Sequence, residues 1–203
     1  DWSPDGSKIL AVMSPAMYGG DPSKIILVSV ADGSIQTLRN LEHWPNQMSF
    51  CPDGRYIAFD NYQGEGTPNR DIYLMDLETG DVEQISPGYG KTTCAWIHPS
   101  NRKVLFASTH DDPAAREKMQ AELDFRASGK ERRYSWDYDE HYDIFTQDLT
   151  TGERVNLTHT LGYDAEGAYS PNGRQIVFVS DSSGSPQLYV ASRSGGRPKR
   201  ITF

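Results

Sequence analysis

The sequence is short of positive charge, of cysteine and of long apolar runs. Its 203 residues carry 20 Lys and Arg against 28 Asp and Glu, a formal charge of −8. An acidic surface repels a phosphate backbone, so nucleic acid is excluded as the main partner. The two cysteines, Cys51 and Cys94, are too few for a disulfide framework and lack the spacing of a zinc site. Apolar runs such as Ile25-Ile26-Leu27-Val28 stop far short of the roughly 18 residues of a membrane-spanning helix. Catalytic signatures are missing too: there is no Gly-x-Ser-x-Gly elbow, no Gly-rich phosphate loop and no HExxH. The expectation is a non-enzyme, with any hydrolase domain lying outside the chain. No charged-then-apolar leader opens the sequence, which starts at Asp1, so targeting information is expected to lie elsewhere.

What is plentiful is turn chemistry, with 18 Gly and 12 Pro. Four segments answer one another: Trp2-Ser3-Pro4-Asp5-Gly6, Phe50-Cys51-Pro52-Asp53-Gly54, Ile97-His98-Pro99-Ser100-Asn101 and Tyr169-Ser170-Pro171-Asn172-Gly173. Proline presets one φ and the fourth position tolerates positive φ, so each predicts a tight turn between two strands. Apolar stretches follow at 8–14, 56–62, 103–109 and 175–181, then at 24–30, 71–77, 143–149 and 187–193. Glycine turns come next, and short stretches at 35–39, 82–86, 154–158 and 198–202 close each unit. Rich in Val, Ile, Phe, Tyr and Thr between turn signals, these stretches read as strands.

From the start of the third strand to the next proline is 28 residues in all three measurable cases, while the loops between second and third strands hold 9, 8, 33 and 5 residues. A four-strand unit with variation confined to one loop is the signature of propeller blades, which must pack on each other to cover their faces. The expected fold is all-β: one propeller domain over 1–203, with four-stranded antiparallel blades at about 1–41, 42–90, 91–160 and 161–203. A helical insertion at 110–142 belongs to the third blade. Within it, Asp112-Pro113 predicts a helix over 114–127, with Asp112 as N-cap and a stop near Gly129. Cys51 and Cys94, in neighbouring blades, are expected to be buried free thiols.

In a four-stranded meander the hairpin turns of strands one–two and three–four point one way. The second-to-third loops and the links between blades point the other way, and binding usually resides on such loops. Four of the five histidines, His43, His110, His141 and His159, fall on that loop face. Candidate binding residues there are His43 and Trp44 in a link, Arg133, Tyr134, Trp136, Tyr138, Asp139, Glu140, His141 and Tyr142 in the insertion, and His159, Tyr163, Asp164 and Glu166 near the channel mouth. Aromatic rings beside charges suit a sugar or a peptide. No cofactor is expected, although the carboxylates and imidazoles among these residues offer ligands for a divalent cation.

Trp2–Gly6, Ile57-Ala58-Phe59, Ile72-Tyr73-Leu74-Met75-Asp76, Thr79-Gly80 and Leu157-Thr158 resemble the WD-repeat-like pattern of the TolB family of bacterial β-propellers. That resemblance implies six or more blades, so the chain is expected to be part of a larger ring. It also implies a protein of the periplasm or cell surface that engages a protein or peptide. Two other classes share such blades: metal-assisted oligogalacturonate-type lyases, and propellers that gate a peptidase.

Overall fold

The computed structural model describes all residues except 16–21, 43–44, 46, 63–69, 131–132 and 134–137. Among the described residues the strands form four antiparallel sheets in chain order. The first holds β1 (Lys8–Met13), β2 (Ser23–Ser29) and β3 (Ile35–Leu41); the second holds β4 (Met48–Phe50), β5 (Tyr56–Tyr62), β6 (Arg70–Asp76) and β7 (Val82–Gln84). The third comprises β8 (Thr92–Ile97), β9 (Lys103–Ser108), β10 (Asp143–Asp148) and β11 (Arg154–Asn156); the fourth comprises β12 (Asp164–Tyr169), β13 (Gln175–Ser180), β14 (Gln187–Ser192) and β15 (Gly195–Arg200). Each sheet is a meander of sequential neighbours. The first has three strands, and the bridge of Trp2 to Ile9 stands where the others have an innermost strand.

Alternation along each strand sends one set of side chains to the preceding sheet and the other to the next. Three apolar clusters result, one between each consecutive pair of sheets. Leu10, Ile25 and Leu27 meet Ile57 and Phe59; Ala58, Ile72 and Leu74 meet Val104, Phe106 and Phe145; Leu105, Ala107 and Ile144 meet Ile176 and Phe178. Both cysteines are buried and free.

The proline turns repeat down to single hydrogen bonds. The fourth turn position donates its N–H to the carbonyl before proline at 2.8–2.9 Å in all four, and Gly6, Gly54, Asn101 and Gly173 have φ of 70°, 76°, 57° and 65°. Ser3, Cys51 and Ser170 each donate to the residue after proline, Asp5, Asp53 and Asn172, at 2.7, 2.8 and 2.8 Å. The same three accept the N–H of Lys8, Tyr56 and Gln175. Cys51 is thus a serine substitute in a turn. Burial and the Asp53 carboxylate push its thiol up to about 11.

In the third sheet the pattern is rebuilt around histidine. His98 Nδ1 bonds Ser100 Oγ at 2.8 Å, its Nε2 lies 2.9 Å from the Gly173 carbonyl, and its ring stands edge-on to Tyr169 at 4.7 Å. This buried imidazole therefore joins the third sheet to the turn of the fourth. A Cβ on Gly173 would sit 2.3 Å from His98 Nε2, so this position requires glycine for space as well as for φ.

A second repeating device closes the opposite end of the outer hairpin in the second, third and fourth sheets. Ser86, Thr158 and Thr202 accept the N–H of Ile72, Ile144 and Leu188 and donate to Asp71, Asp143 and Gln187. Two details depart from the expectations above. The last strand starts at Gly195, not at position 198, because Ser192 pairs directly with Gly195 across a two-residue turn, leaving a bulge between Val190 and Ser192. Innermost strands β8 and β12 also carry bulges, where Cys94 and Glu166, each five residues before its proline, adopt φ of 61° and 56°.

Candidate functional site

The insertion leaves the third sheet after β9 and returns at β10. Helix α1 (Ala115–Ala127) begins one turn past Asp112, whose Oδ1 accepts the Ala114 N–H at 2.8 Å and whose carbonyl accepts that of Ala115. Asp112 therefore caps the turn leading into the helix, while Ala114 occupies the N-cap position itself. On one side, α1 is held by the Arg116 guanidinium, 3.9 Å over the Tyr89 ring. Tyr89 stands edge-on to His110, which packs at 4.1 Å on Phe145. Burial there lowers the His110 pKa.

Lys118 supplies the other anchor. Its ammonium lies 2.7 Å from Asp112 Oδ2 and 3.2 Å from each oxygen of Asp139, with Lys91 at 3.6 Å from Asp139. Burial pushes both carboxyls up. For Asp112 the Lys118 and Ala114 hydrogen bonds outweigh this, and for Asp139 those from the His141 N–H and Lys118 do, leaving both below the usual range. Burial likewise opposes the Lys118 charge, but the two aspartates raise its pKa. One cation thus ties together the two roots of the insertion.

Beside this network opens a cleft of about 290 Å³. Asp111, Asp112, Glu140 and His141 of the insertion form one wall. Asp143, Asn156, His159, Thr160 and Leu161 form the other. Four carboxylates and two imidazoles line it, with no Lys or Arg among the described residues. Asn156 braces this side, donating to Asp143 at 2.8 Å and accepting the N–H of Thr158 and of His159. His159 is exposed at φ 54°. The link 158–163 is fixed to the insertion root by Gly162 N–H to the Glu140 carbonyl and Asp164 N–H to that of Tyr142.

Of the sequence candidates, Glu140, His141 and His159 meet in this cleft, and Asp139 lies behind it. Tyr138 is 53% exposed, stacks on Tyr163 at 5.6 Å and donates to Asp181 at 2.7 Å. Tyr142 and Tyr163 are core residues of the third-to-fourth sheet cluster, so their rings serve packing. Asp164 is buried, accepts from Thr160 at 2.8 Å, and burial raises its pKa. Glu166 accepts from Cys94 at 2.7 Å and Tyr163 at 3.2 Å; neither it nor Asp164 lines the cleft. Arg133 is exposed. His43, Trp44, Tyr134 and Trp136 lie outside the described residues. The sequence reading missed Asp111 and Asp143. Asp143 carries a signal, since it repeats Asp71 and Gln187 in the hairpin-closing device; Asp111 carries none.

Residues 114–203 match the TolB beta propeller domain. That match runs from the insertion through the fourth sheet, and the chain as a whole is similar in fold to the TolB-like β-propellers. An uncharacterized protein of Agrobacterium fabrum is 25% identical over 206 residues, covering the whole chain and 57% of that protein. The Tol-Pal system protein TolB of Bordetella pertussis is 45% identical over 40 residues, 20% of this chain and 9% of that protein. Among solved structures, TolB from Acinetobacter baumannii superposes with a TM-score of 0.71 at 23% identity, covering 99% of this chain and 42% of that one. A putative TolB from Agrobacterium tumefaciens gives 0.72 at 22%, covering 100% and 60%. The chain thus spans 57% of the Agrobacterium fabrum protein and 42–60% of the two solved TolB chains. An oligogalacturonate lyase in complex with manganese, at 0.63 and 16% identity, and a Porphyromonas gingivalis dipeptidyl peptidase, at 0.58 and 13%, share the fold. The TolB-like fold therefore does not by itself fix a function.

Proposed function

We propose that this chain belongs to a non-catalytic binding scaffold of the periplasm or cell surface, engaging a protein or peptide through its loop face. The observation that supports this is the cleft between the insertion and the link 158–163, which is acidic, open and built on paired strands. Its charge favours partners that present basic groups, through complementarity that steers encounter and suppresses wrong partners. A photo-crosslinking residue placed at Glu140 in the full-length protein should capture a polypeptide, whereas one at Glu153 on the turn face should not. Equal capture at both positions, or none at Glu140, overturns the reading. A second reading, a metal-assisted polysaccharide lyase, draws support from His141 and His159 lying in one cleft with carboxylates. It requires release of unsaturated product from oligogalacturonate, lost on His159→Ala. The third, a propeller gating a peptidase, requires a hydrolase domain in the same full-length protein.

A further inference from the structure

We propose that Asp112, Asp139 and His141 form a divalent-cation site for which Lys118 is a built-in competitor. One donor atom from each of the three side chains falls within 4.8 Å of the other two. His141 Nδ1 lies 3.4 Å from Asp139 Oδ1, and its Nε2 lies 3.8 Å from Asp112 Oδ1. Neither contact is a hydrogen bond, the first because its geometry leaves Nδ1 without a partner and the second because of its length. The shorter matches two ligands sharing one ion, since donors about 2.0–2.2 Å from a metal stand roughly 3.0–3.6 Å apart. His141 Nδ1 is a buried atom without a hydrogen-bond partner, an arrangement that calls for an ion or a water.

The position of Lys118 makes the same point. Its ammonium contacts one oxygen of Asp112 and both oxygens of Asp139, the placement of a chelated cation. The Lys118 side chain is 43% exposed, so it can swing into water and yield the place. Charge allows the exchange. Asp112 and Asp139 hold the position, Asp111 and Glu140 line the adjoining cleft, and with Lys118 withdrawn Lys91 is the remaining cation paired with this group among the described residues. A donor set of one imidazole and two carboxylates favours an imidazole-binding ion such as Zn²⁺ over Ca²⁺.

Calorimetric titration of the chain with Zn²⁺ tests this. The expected result is one saturable site, tightened at least tenfold in Lys118→Met, weakened at least tenfold in His141→Ala and unchanged in His159→Ala. Zn²⁺ should also raise the melting temperature of the parent protein but not of His141→Ala. Absence of a one-to-one site in both the parent and Lys118→Met overturns the proposal, as does a site indifferent to His141→Ala. Should Lys118→Met fail to fold, His141→Ala decides alone, because it leaves both aspartate–lysine pairs in place.

Discussion

At the turn face of the blades, Ser3, Cys51 and Ser170 occupy one repeat position and make the same two hydrogen bonds, with His98 improvising in the third sheet. At the loop face, the Asp112–Lys118–Asp139 network belongs, among the described residues, to the third sheet alone and rests on residues outside the repeat. The contrast separates two kinds of polar residue. A side chain whose partner recurs from sheet to sheet is explained by the fold, and Asp143, which recurs as Asp71 and Gln187, belongs there although it lines the cleft. A side chain without equivalents, such as Asp111, Asp112 or His141, has no such explanation and is where recognition chemistry is to be sought.

Mutations at the two faces should therefore differ in kind. The largest stability loss is expected from Gly173→Ala, which combines a positive φ with a clash against His98, together costing about 2–4 kcal/mol by urea denaturation. A loss under 1 kcal/mol would mean that the contact between third and fourth sheets is loose. Cys51→Ala should cost about 1–2 kcal/mol by stranding the Tyr56 N–H and the Asp53 acceptor. Cys51→Ser should cost far less, since serine fills that place in the first and fourth sheets; equal losses would break the equivalence of the turns. Replacing residues 113–137 with a five-residue linker should leave strand content intact by circular dichroism and cost less than Gly173→Ala, while abolishing capture at Glu140. Unfolding would show that the insertion supplies core.

The smallest effect is one of pH. Burial raises the Asp71 pKa against the Ser86 hydrogen bond, 2.5 Å, that lowers it. A carboxyl raised in the folded state binds its proton more tightly there than in the unfolded chain, so it favours folding in acid. That advantage fades as pH rises from the ordinary aspartate value through the raised one. Asp71→Asn should therefore gain stability relative to the parent as pH rises through that window, measured by thermal melts. A difference independent of pH would show that the Asp71 carboxyl has the same pKa folded and unfolded.

The blades were legible because their grammar is local: a proline, a residue tolerant of positive φ three positions beyond the residue it bonds, and alternation between. The bulges at Cys94 and Glu166 were not, because nothing in their side chains demands a left-handed backbone. The site was half legible. His141, Glu140 and His159 could be assigned to one face by meander geometry, but Tyr142 and Tyr163 could not be told from core, since aromatic density marks packing and binding alike. Asp112 looked like a helix cap, and it does cap a turn. Its meeting with Asp139 depends on where the returning chain crosses, which no local pattern specifies.

The pairing of β9 with β10 along six residues, from Lys103–Asp148 to Ser108–Asp143, has a consequence for handling the protein. The insertion is an excursion whose two ends re-enter adjacent strands of one sheet, so a protease nick within 113–137 would sever the polypeptide without separating its halves. Such a molecule should run as two bands on a denaturing gel and elute as one species from a sizing column. The excursion is thereby a natural place to open the chain for a tag, a reporter or new termini.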